Sequence, residues 1–243
     1  MLVLATTTPG KPEIFASVQG EGPSAGSPCI FVRLSRCNLA CQWCDTAYTW
    51  HFEGDERPHR GGELFKRSAN QINLDTRQVA DQIEALGQKR LVITGGEPLL
   101  QASALAELIE LLPDMTIEIE TNGTAIAPAR LDIRIDQYNV SPKLAHSGNP
   151  AALALIPERL RHYAGDPRAF FKFVCASPDD VAEAAGLVRQ YAIPPARVFL
   201  MPEGTASETL RQREKWLVPL CLEHGFRMSD RLHIHLFGDT RGT

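Results

Sequence analysis

Apolar runs of strand length alternate with segments of helical periodicity through most of this chain. The expected strands are Cys29 to Leu34, Arg90 to Thr94, Thr116 to Glu120, Tyr138 to Ser141, Phe170 to Val174, Val198 to Met201 and Leu232 to Leu236. The expected helices are Asp75 to Leu86, Ser103 to Leu112, Ala151 to Tyr163, Asp179 to Tyr191 and Glu208 to His224, with Pro157 and Pro219 as candidate kinks. Such alternation predicts a parallel sheet with crossover helices. Six or seven units are too few for an eight-fold barrel, so an incomplete, open β/α barrel competes with a doubly wound α/β sheet.

The segment from His51 to Asn73 interrupts this alternation. It is charged, contains glycine and has little periodicity, and a structureless loop of this length in a compact domain is usually functional or disordered. We therefore expect an inserted surface loop at 51–73, which is a candidate lid. No repeat or linker divides the rest of the sequence, so we expect one domain spanning 1–243.

Composition and charge exclude several classes of function. The chain has 243 residues, of which 44% are hydrophobic, enough for one sizeable core. A net charge of −4 argues against a nucleic-acid partner held through phosphates. No apolar run reaches the roughly 18 residues of a membrane span, and the N-terminal residues 1–10 lack the features of a secretory signal. We expect a cytoplasmic protein without a membrane partner.

Three of the six cysteines, Cys37, Cys41 and Cys44, lie within eight residues with the spacing C-x3-C-x2-C. This spacing brings three sulfur atoms within reach of one centre. A structural zinc site normally needs four protein ligands, whereas three thiolates suit an iron–sulfur cubane with one iron left open. A zinc site completed by Asp45 or His51, or a redox-active thiol group, remains as an alternative. The other cysteines, expected to be small buried hydrophobic residues, are Cys29, Cys175 and Cys221.

A second motif, Thr94-Gly95-Gly96-Glu97-Pro98, follows an expected strand. Consecutive glycines allow the backbone to approach a ligand closely, and the carboxylate of Glu97 can accept hydrogen bonds from an ammonium group. Ligands bind at the carboxyl ends of parallel strands. The alternative is a tight turn before a helix.

Together, the cysteine spacing and the Gly-Gly-Glu motif resemble the radical S-adenosylmethionine superfamily. The resemblance implies that the fold is an incomplete, open β/α barrel. It also implies a 4Fe-4S cluster on Cys37, Cys41 and Cys44, whose open iron chelates S-adenosylmethionine. A reduced cluster then passes one electron to the sulfonium and yields a 5′-deoxyadenosyl radical, while the protein supplies orientation. Trp43 corresponds to an aromatic residue that the superfamily often places near the adenine.

Further motifs narrow the resemblance to the 7-carboxy-7-deazaguanine synthase family. They are Gln19-Gly20-Glu21-Gly22, Arg33, Cys44-Asp45-Thr46, Glu120-Thr121-Asn122-Gly123-Thr124 and Ser141-Pro142-Lys143. The resemblance implies conversion of 6-carboxy-5,6,7,8-tetrahydropterin to 7-carboxy-7-deazaguanine, a lyase reaction with loss of ammonia in queuosine and 7-deazapurine biosynthesis. It also implies Mg²⁺, a homodimer, and an electron donor such as flavodoxin or ferredoxin.

The resemblance also assigns roles to individual residues. Thr46 is expected to bind Mg²⁺. Residues expected at S-adenosylmethionine are Trp43, Asp45, Gly95, Gly96, Glu97, Glu120, Ser141, Pro142 and Lys143. Residues expected at the substrate are Val18, Gln19, Gly20, Glu21, Arg33, Thr94, His233 and the terminal carboxylate of Thr243. Glu21 can accept from the amidine-like donor pair of the pterin, Gln19 can donate and accept, and Arg33 can clamp a carboxylate. Without the resemblance, the Gln19–Gly22 motif is a flexible turn and Arg33 pairs with a surface acid.

The two histidines near the end of the chain and Arg36 before the first clustered cysteine each allow more than one interpretation. His233 and His235 should share one face of the last expected strand, which favours a metal pair, whereas the resemblance assigns only His233 to the substrate and leaves His235 as a core histidine. Arg36 stands where relatives usually have glycine, which bears on the local backbone conformation. The rival functions are another radical S-adenosylmethionine enzyme, such as a glycyl-radical activase, and a non-catalytic zinc or iron–sulfur interaction module.

Overall fold

The computed structural model describes residues 1–243 as eleven strands and nine α-helices. The strands are β1 Leu2–Thr8, β2 Lys11–Pro12, β3 Ile14–Val18, β4 Pro28–Leu34, β5 Gln71–Leu74, β6 Arg90–Gly95, β7 Thr116–Thr121, β8 Gln137–Val140, β9 Ala169–Cys175, β10 Val198–Pro202 and β11 Arg227–Met228. The helices are α1 Arg67–Asn70, α2 Thr76–Ala85, α3 Ala102–Glu110, α4 Ala129–Asp132, α5 Ala151–Ala154, α6 Pro157–Gly165, α7 Pro178–Gln190, α8 Ser207–His224 and α9 Leu232–Phe237. None of these helices is long and apolar enough to cross a membrane.

All eleven strands belong to one sheet that does not close on itself. Its parallel part has the order β4-β6-β7-β8-β9-β10-β11. At the β4 edge, β3 and β1 add antiparallel strands, and β1 in turn pairs with β2 and β5. The expectation of an incomplete, open β/α barrel is confirmed, and the doubly wound alternative is wrong.

The central strands are apolar because helices cover their outer face. In β6, Leu91, Val92 and Ile93 are all fully buried, as expected for a parallel strand covered on both faces. Helix α2 contributes Val79 and Ile83 to the same core cluster, and it begins at a capping box. Asp75 accepts a hydrogen bond from the Gln78 backbone N–H at 2.8 Å, and the Gln78 side chain accepts one from the Asp75 N–H at 3.1 Å.

The structure corrects the expected elements at both ends of the chain. Leu232 to Leu236 is part of helix α9, so the expectation of a last strand there is wrong. The strand next to β10 is instead β11, which occupies the edge that a strand at 232–236 would have needed. Strands β1 to β3 were not expected. Pro157 divides the helix expected at 151–163 into α5 and α6, whereas Pro219 lies within a continuous α8.

The inserted segment is only partly irregular. An isolated bridge joins Phe52 to Phe65, and the end of the segment forms α1 and β5, which pairs with β1. His51 organises the irregular part, since its ring nitrogens contact the carbonyl oxygens of Glu63 at 2.7 Å and Arg57 at 3.0 Å. The segment is therefore joined to the sheet at its carboxyl-terminal end.

Candidate active site

A cavity of about 690 Å³ lies at the carboxyl ends of the parallel strands. Its walls come from the cysteine loop after β4, the glycines ending β6, the ends of β7 to β10, and the chain after β11. All of the expected site residues line it except Glu97 and Pro142. Its volume is in the range of small-molecule sites, and its place is the one that parallel α/β folds use for ligands.

The cysteine loop is held by backbone hydrogen bonds from two sides. Gln42 N–H donates to the Ser147 carbonyl at 2.9 Å, and Arg36 N–H donates to the Thr49 carbonyl at 2.7 Å. Arg36 has φ +79°, a left-handed conformation that glycine adopts without strain and arginine does not. A glycine at this position would adopt the same conformation without strain. The Arg36 carbonyl also accepts from Glu97 N–H at 2.9 Å, so the surrounding structure holds the strained residue in place.

A polar side chain faces the sulfur atom of each cluster cysteine. Asn149 Nδ2 donates to Cys41 Sγ at 3.3 Å, and Asn122 Nδ2 lies 3.9 Å from Cys37 Sγ. Thr46 Oγ1 lies 3.6 Å from Cys44 Sγ. Hydrogen-bond donors at sulfur stabilise the negative charge that a metal-bound thiolate carries.

The geometry and electrostatics of the thiols distinguish among the expected kinds of site. The ligands of one tetrahedral zinc ion lie about 3–4 Å apart, but only Glu214, Asp230 and His235 bring three candidate ligand atoms within 4.8 Å of one another in this chain. The cysteine sulfurs are therefore spread more widely than zinc requires. Burial raises the pKa of Cys37 to about 12 and that of Cys44 to about 11. Redox-active thiols have lowered pKa values, so the raised values argue against the alternative of a redox-active thiol group.

Trp43 forms an aromatic wall of the cavity. Its ring stacks on His146 with centroids 5.3 Å apart, and its buried Nε1 has no hydrogen-bond partner. Lys143 Nζ lies 5.7 Å from the Trp43 ring centroid and donates to Ser141 Oγ at 2.8 Å. The structure thus brings Trp43, Ser141 and Lys143 together around a surface suited to a flat heteroaromatic ring.

Gly95 and Gly96 are required by packing inside the protein. A Cβ atom on Gly95 would overlap the Leu34 backbone, and one on Gly96 would overlap the Arg36 carbonyl. Gly95 also has φ +128°, a conformation that L side chains rarely adopt. The glycines therefore let the cysteine loop lie directly against the end of β6, and both line the cavity.

Glu97 and Pro142 are the two residues that the structure places outside the cavity wall. Glu97 is fully buried, and its carboxylate accepts from Asn122 N–H at 2.7 Å, Thr121 Oγ1 at 2.9 Å and Leu99 N–H at 3.0 Å. This carboxylate therefore accepts hydrogen bonds from internal donors in this structure, and its expected contact with a methionine ammonium stays a prediction. Pro142 is likewise buried behind the wall.

Glu21 lies at the centre of a buried ionic group on the opposite side of the cavity. Arg231 Nε donates to Glu21 Oε1 at 3.0 Å, and Lys172 Nζ forms an ion pair with Oε2. His233 Nε2 is 3.9 Å from Oε1. Burial alone would raise the pKa of Glu21, but Lys172, Arg231 and His233 together hold it far below its usual value. Arg231 also pairs with Asp45, which joins the ionic group to the cysteine loop.

The remaining residues expected at the substrate surround this ionic group. Gln19 Nε2 donates to Glu118 at 2.6 Å, and its Oε1 accepts from Glu21 N–H at 3.2 Å, so its amide braces the Glu21 turn. Thr94 Oγ1 donates to Glu120 Oε2 at 2.7 Å. The cavity lining here also includes Val18, Gly20 and Thr46.

Arg33 pairs with a buried acid and not with the surface acid of the alternative interpretation. Its Nε donates to Glu13 Oε1 at 2.8 Å, and Tyr48 donates its hydroxyl to Glu13 Oε2 at 2.9 Å. Glu13 is only 1% exposed. The other guanidinium N–H groups of Arg33 have no protein partner and are free for a ligand carboxylate. Arg241 stacks 3.5 Å above the Tyr48 ring centroid, which brings the chain end with Thr243 into the cavity lining.

The alternative of a metal pair formed by His233 and His235 is wrong, because α9 sends residues two apart to different sides. His233 lines the cavity. His235 contacts Ser207 Oγ at 2.9 Å and Asp230 Oδ1 at 3.1 Å outside it. It is satisfied by these neighbours, and it is 17% exposed at the side chain.

Sequence reasoning missed Lys172, Arg231 and Asn149. Lys172 carried a signal, because it is the one charged residue in the apolar strand Ala169–Cys175, and a buried charge there needs a partner. Arg231 and Asn149 lie in irregular segments far along the chain from the residues they contact. No local pattern marks them.

Comparison with known proteins agrees with this site. The model of the Radical SAM superfamily matches residues 32–209. The 7-carboxy-7-deazaguanine synthase of Pyrobaculum aerophilum is 36% identical over 95% of both chains, and that of Rhodopirellula baltica is 34% identical over 95% of this chain and 87% of its own. The crystal structure of QueE from Escherichia coli aligns with a TM-score of 0.66 at 25% identity over 95% of both chains. The chain belongs to the radical S-adenosylmethionine superfamily and, within it, to the 7-carboxy-7-deazaguanine synthase family.

Proposed function

We propose that this enzyme converts 6-carboxy-5,6,7,8-tetrahydropterin to 7-carboxy-7-deazaguanine with release of ammonia. The observation that carries the proposal is that one cavity joins three thiols, an aromatic wall and a charged end containing Glu21 and Arg33. Relatives with the corresponding name match nearly the whole chain. A non-catalytic zinc module accounts for neither observation.

Membership of the superfamily identifies a 4Fe-4S cluster and S-adenosylmethionine as cofactors, and Cys37, Cys41 and Cys44 are the residues that would hold the cluster. When bound, these cofactors supply a carbon-centred radical that removes hydrogen from the substrate. Such a radical is unselective, so the protein must hold the target C–H adjacent to it and exclude competing partners. Trp43, Ser141 and Lys143 are suited to orient the nucleoside of S-adenosylmethionine along one wall.

The opposite end of the cavity is suited to the substrate. Arg33 keeps free guanidinium N–H groups while Glu13 and Tyr48 orient it, so it can bind the substrate carboxylate. Glu21 is held as an anion and can accept from the amidine-like edge of the pterin. Arg231 connects Glu21 to Asp45, so the residues proposed for substrate recognition lie beside the cysteine loop.

We further propose that Thr46 binds Mg²⁺ together with substrate oxygens. Thr46 lines the cavity, and magnesium prefers oxygen ligands while keeping several waters. Also proposed are a homodimer, an electron donor such as flavodoxin or ferredoxin, a cytoplasmic location and a single functional domain over 1–243. One continuous sheet containing all of the strands supports the last of these.

An anaerobic turnover assay tests the proposed reaction. Enzyme with reconstituted cluster, reductant, S-adenosylmethionine and the carboxypterin should form 7-carboxy-7-deazaguanine, detected by mass spectrometry, and more of it when Mg²⁺ is present. Cys41→Ala should give neither this product nor 5′-deoxyadenosine, since one cluster ligand is missing. The matched control is Cys221→Ala, because Cys221 is a buried thiol outside the cavity. Release of 5′-deoxyadenosine without the deazaguanine would contradict the substrate assignment, and activity in Cys41→Ala would contradict the cluster assignment.

A further inference from the structure

Lys172 is a buried cation that lines the cavity without an assigned role. It lies in the middle of β9 and is 8% exposed. Side chains two apart on a strand share a face, and Lys172 and Val174 both line the cavity while Phe171 and Phe173 are fully buried in the core. Burying an ammonium group is costly unless it is paired. Its position on the inner face of the barrel therefore indicates a role toward the ligand.

Two cations contact the Glu21 carboxylate, one at each of its oxygen atoms. Arg231 donates to Oε1 at 3.0 Å, and Lys172 pairs with Oε2. A carboxylate has about four lone-pair sites, so both oxygens keep acceptor capacity. Across the group, the Arg231 donor is followed by the two acceptors, Oε1 and Oε2 of Glu21, and then by the Lys172 donor. The Lys172 ammonium therefore lies directly beside Oε2.

This order matches one edge of a 2-amino-4-oxopyrimidine. That edge presents the 2-amino group and N3–H as donors, followed by the 4-oxo oxygen as an acceptor. We propose that Glu21 accepts from the two donors while Lys172 donates to the 4-oxo oxygen, so that Lys172 selects 4-oxo over 4-amino pyrimidines. The inference rests on the proposed pterin substrate and assigns a specificity-determining residue to it.

The surroundings of Lys172 keep it a donor. Although burial opposes its charge, Glu21 and Glu120 raise the pKa of Lys172 above its usual value. An ammonium group has three N–H donors and no acceptor. It can pair with Glu21 and still donate to a ligand, but it cannot accept from a 4-amino group. Gln19, which accepts from the Glu21 N–H, keeps this turn in place.

A binding measurement without turnover tests the proposal. The cluster-loaded enzyme is kept oxidised with S-adenosylmethionine present, and the dissociation constants of three ligands are measured by anaerobic titration. The ligands are 2-amino-4-oxopteridine-6-carboxylate, 2,4-diaminopteridine-6-carboxylate and 2-aminopteridine-6-carboxylate. For the unsubstituted protein we expect the 4-oxo ligand to bind roughly 10- to 100-fold more tightly than either of the others, as for a charge-assisted hydrogen bond.

Variants separate direct recognition from an indirect effect through Glu21. Lys172→Met should reduce the preference for the 4-oxo ligand to the part that Glu21 gains from N3–H, which the other two ligands lack, whereas Lys172→Arg should retain more of the preference. Lys215→Met, which removes an exposed lysine on α8, should leave the preference unchanged. If Lys172→Met weakens all three ligands equally, Lys172 acts only by positioning Glu21 and the proposal is wrong.

The three ligands also test the role of Lys172 with the unsubstituted protein alone, in case Lys172→Met fails to fold. Equal affinity of the unsubstituted protein for the 4-oxo ligand and the ligand without a 4-substituent would overturn the proposal. Parallel turnover assays distinguish this failure from that of the proposed function. Product formation without the 4-oxo preference overturns the role of Lys172 alone. A preference that Lys172→Met reduces, without product formation, supports that role and overturns the carboxypterin reaction.

Discussion

At the residue scale, the contacts of Cys37, Cys41 and Cys44 explain how an irregular loop holds three thiols at the cavity. Asn149 is central, because its Oδ1 accepts from Ala40 N–H at 2.8 Å while its Nδ2 donates to Cys41 Sγ at 3.3 Å. One side chain therefore positions the loop and polarises a ligand. Arg36, in contrast, destabilises the loop locally, because its left-handed backbone conformation costs of the order of 1 kcal/mol. Hydrogen bonds on both sides of the residue hold it in that conformation.

Removing the donor at Cys41 should change the electronic properties of the cluster. In Asn149→Ala we expect the midpoint potential to become more negative, because hydrogen bonds to sulfur help to set the potential of such clusters. Asn149→Asp should shift it in the same direction, since a negative charge replaces the donor. The measurement is a redox titration followed by electron paramagnetic resonance, with Asn73→Ala as an exposed control. An unchanged potential in both Asn149 variants would show that this hydrogen bond has no electronic role.

At the scale of elements, local signals defined most of the helices that support the sheet. The clearest is α2, where the capping box at Asp75 precedes Val79 and Ile83, both fully buried. The apolar stripe fixes which face packs on the sheet, and the cap satisfies backbone N–H groups that would otherwise lack partners. In contrast, α9 has only one buried residue, Ile234, so its sequence carries little helical signal.

Loss of the α2 cap should destabilise the protein by a defined amount. Asp75→Ala removes an acceptor for the Gln78 N–H and should lower the free energy of unfolding by about 1 kcal/mol. Asp81→Ala is the matched control, because it removes an exposed Arg77–Asp81 ion pair that contributes about 0.3–0.5 kcal/mol. Urea unfolding monitored by circular dichroism measures both. Equal losses in the two variants would mean that the capping box adds nothing beyond helix electrostatics.

At the scale of the whole molecule, the ionic group around Glu21 joins segments that are distant in sequence. It connects the turn after β3, the middle of β9, the cysteine loop and the segment before α9. These segments also form the cavity, so folding and assembly of the site are coupled. Charged groups facing Glu21 are Lys172, Arg231 and His233, with Asp45 on the far side of Arg231.

This ionic group should give part of the stability a characteristic pH dependence. The folded-state pKa of Glu21 lies far below its unfolded value near 4.5, so its contribution is complete above that value and is lost as the pH falls toward the folded-state pKa. Glu21→Gln removes the titration. The stability difference between the unsubstituted protein and Glu21→Gln should therefore be largest near neutral pH and narrow progressively as the pH falls below about 5.

Urea midpoints measured across this pH range test the expectation, and Glu223→Gln serves as the control because Glu223 is an exposed glutamate on α8. A stability difference that does not change with pH would mean that the Glu21 carboxylate keeps its ordinary pKa in the folded protein.

By itself, the sequence determined the alternating α/β class, and it predicted the cysteine ligands and the motifs around them. These features are local, because a strand, an amphipathic helix or a C-x3-C-x2-C loop is recognisable from neighbouring residues. Tertiary structure alone decided that residues 232–236 form α9 beside an edge already taken by β11, that Glu97 supports the loops from inside, and that Lys172 and Arg231 hold Glu21. Each of these depends on contacts between residues far apart in the chain, where burial and pairing of charge, and not local pattern, set the lowest free energy.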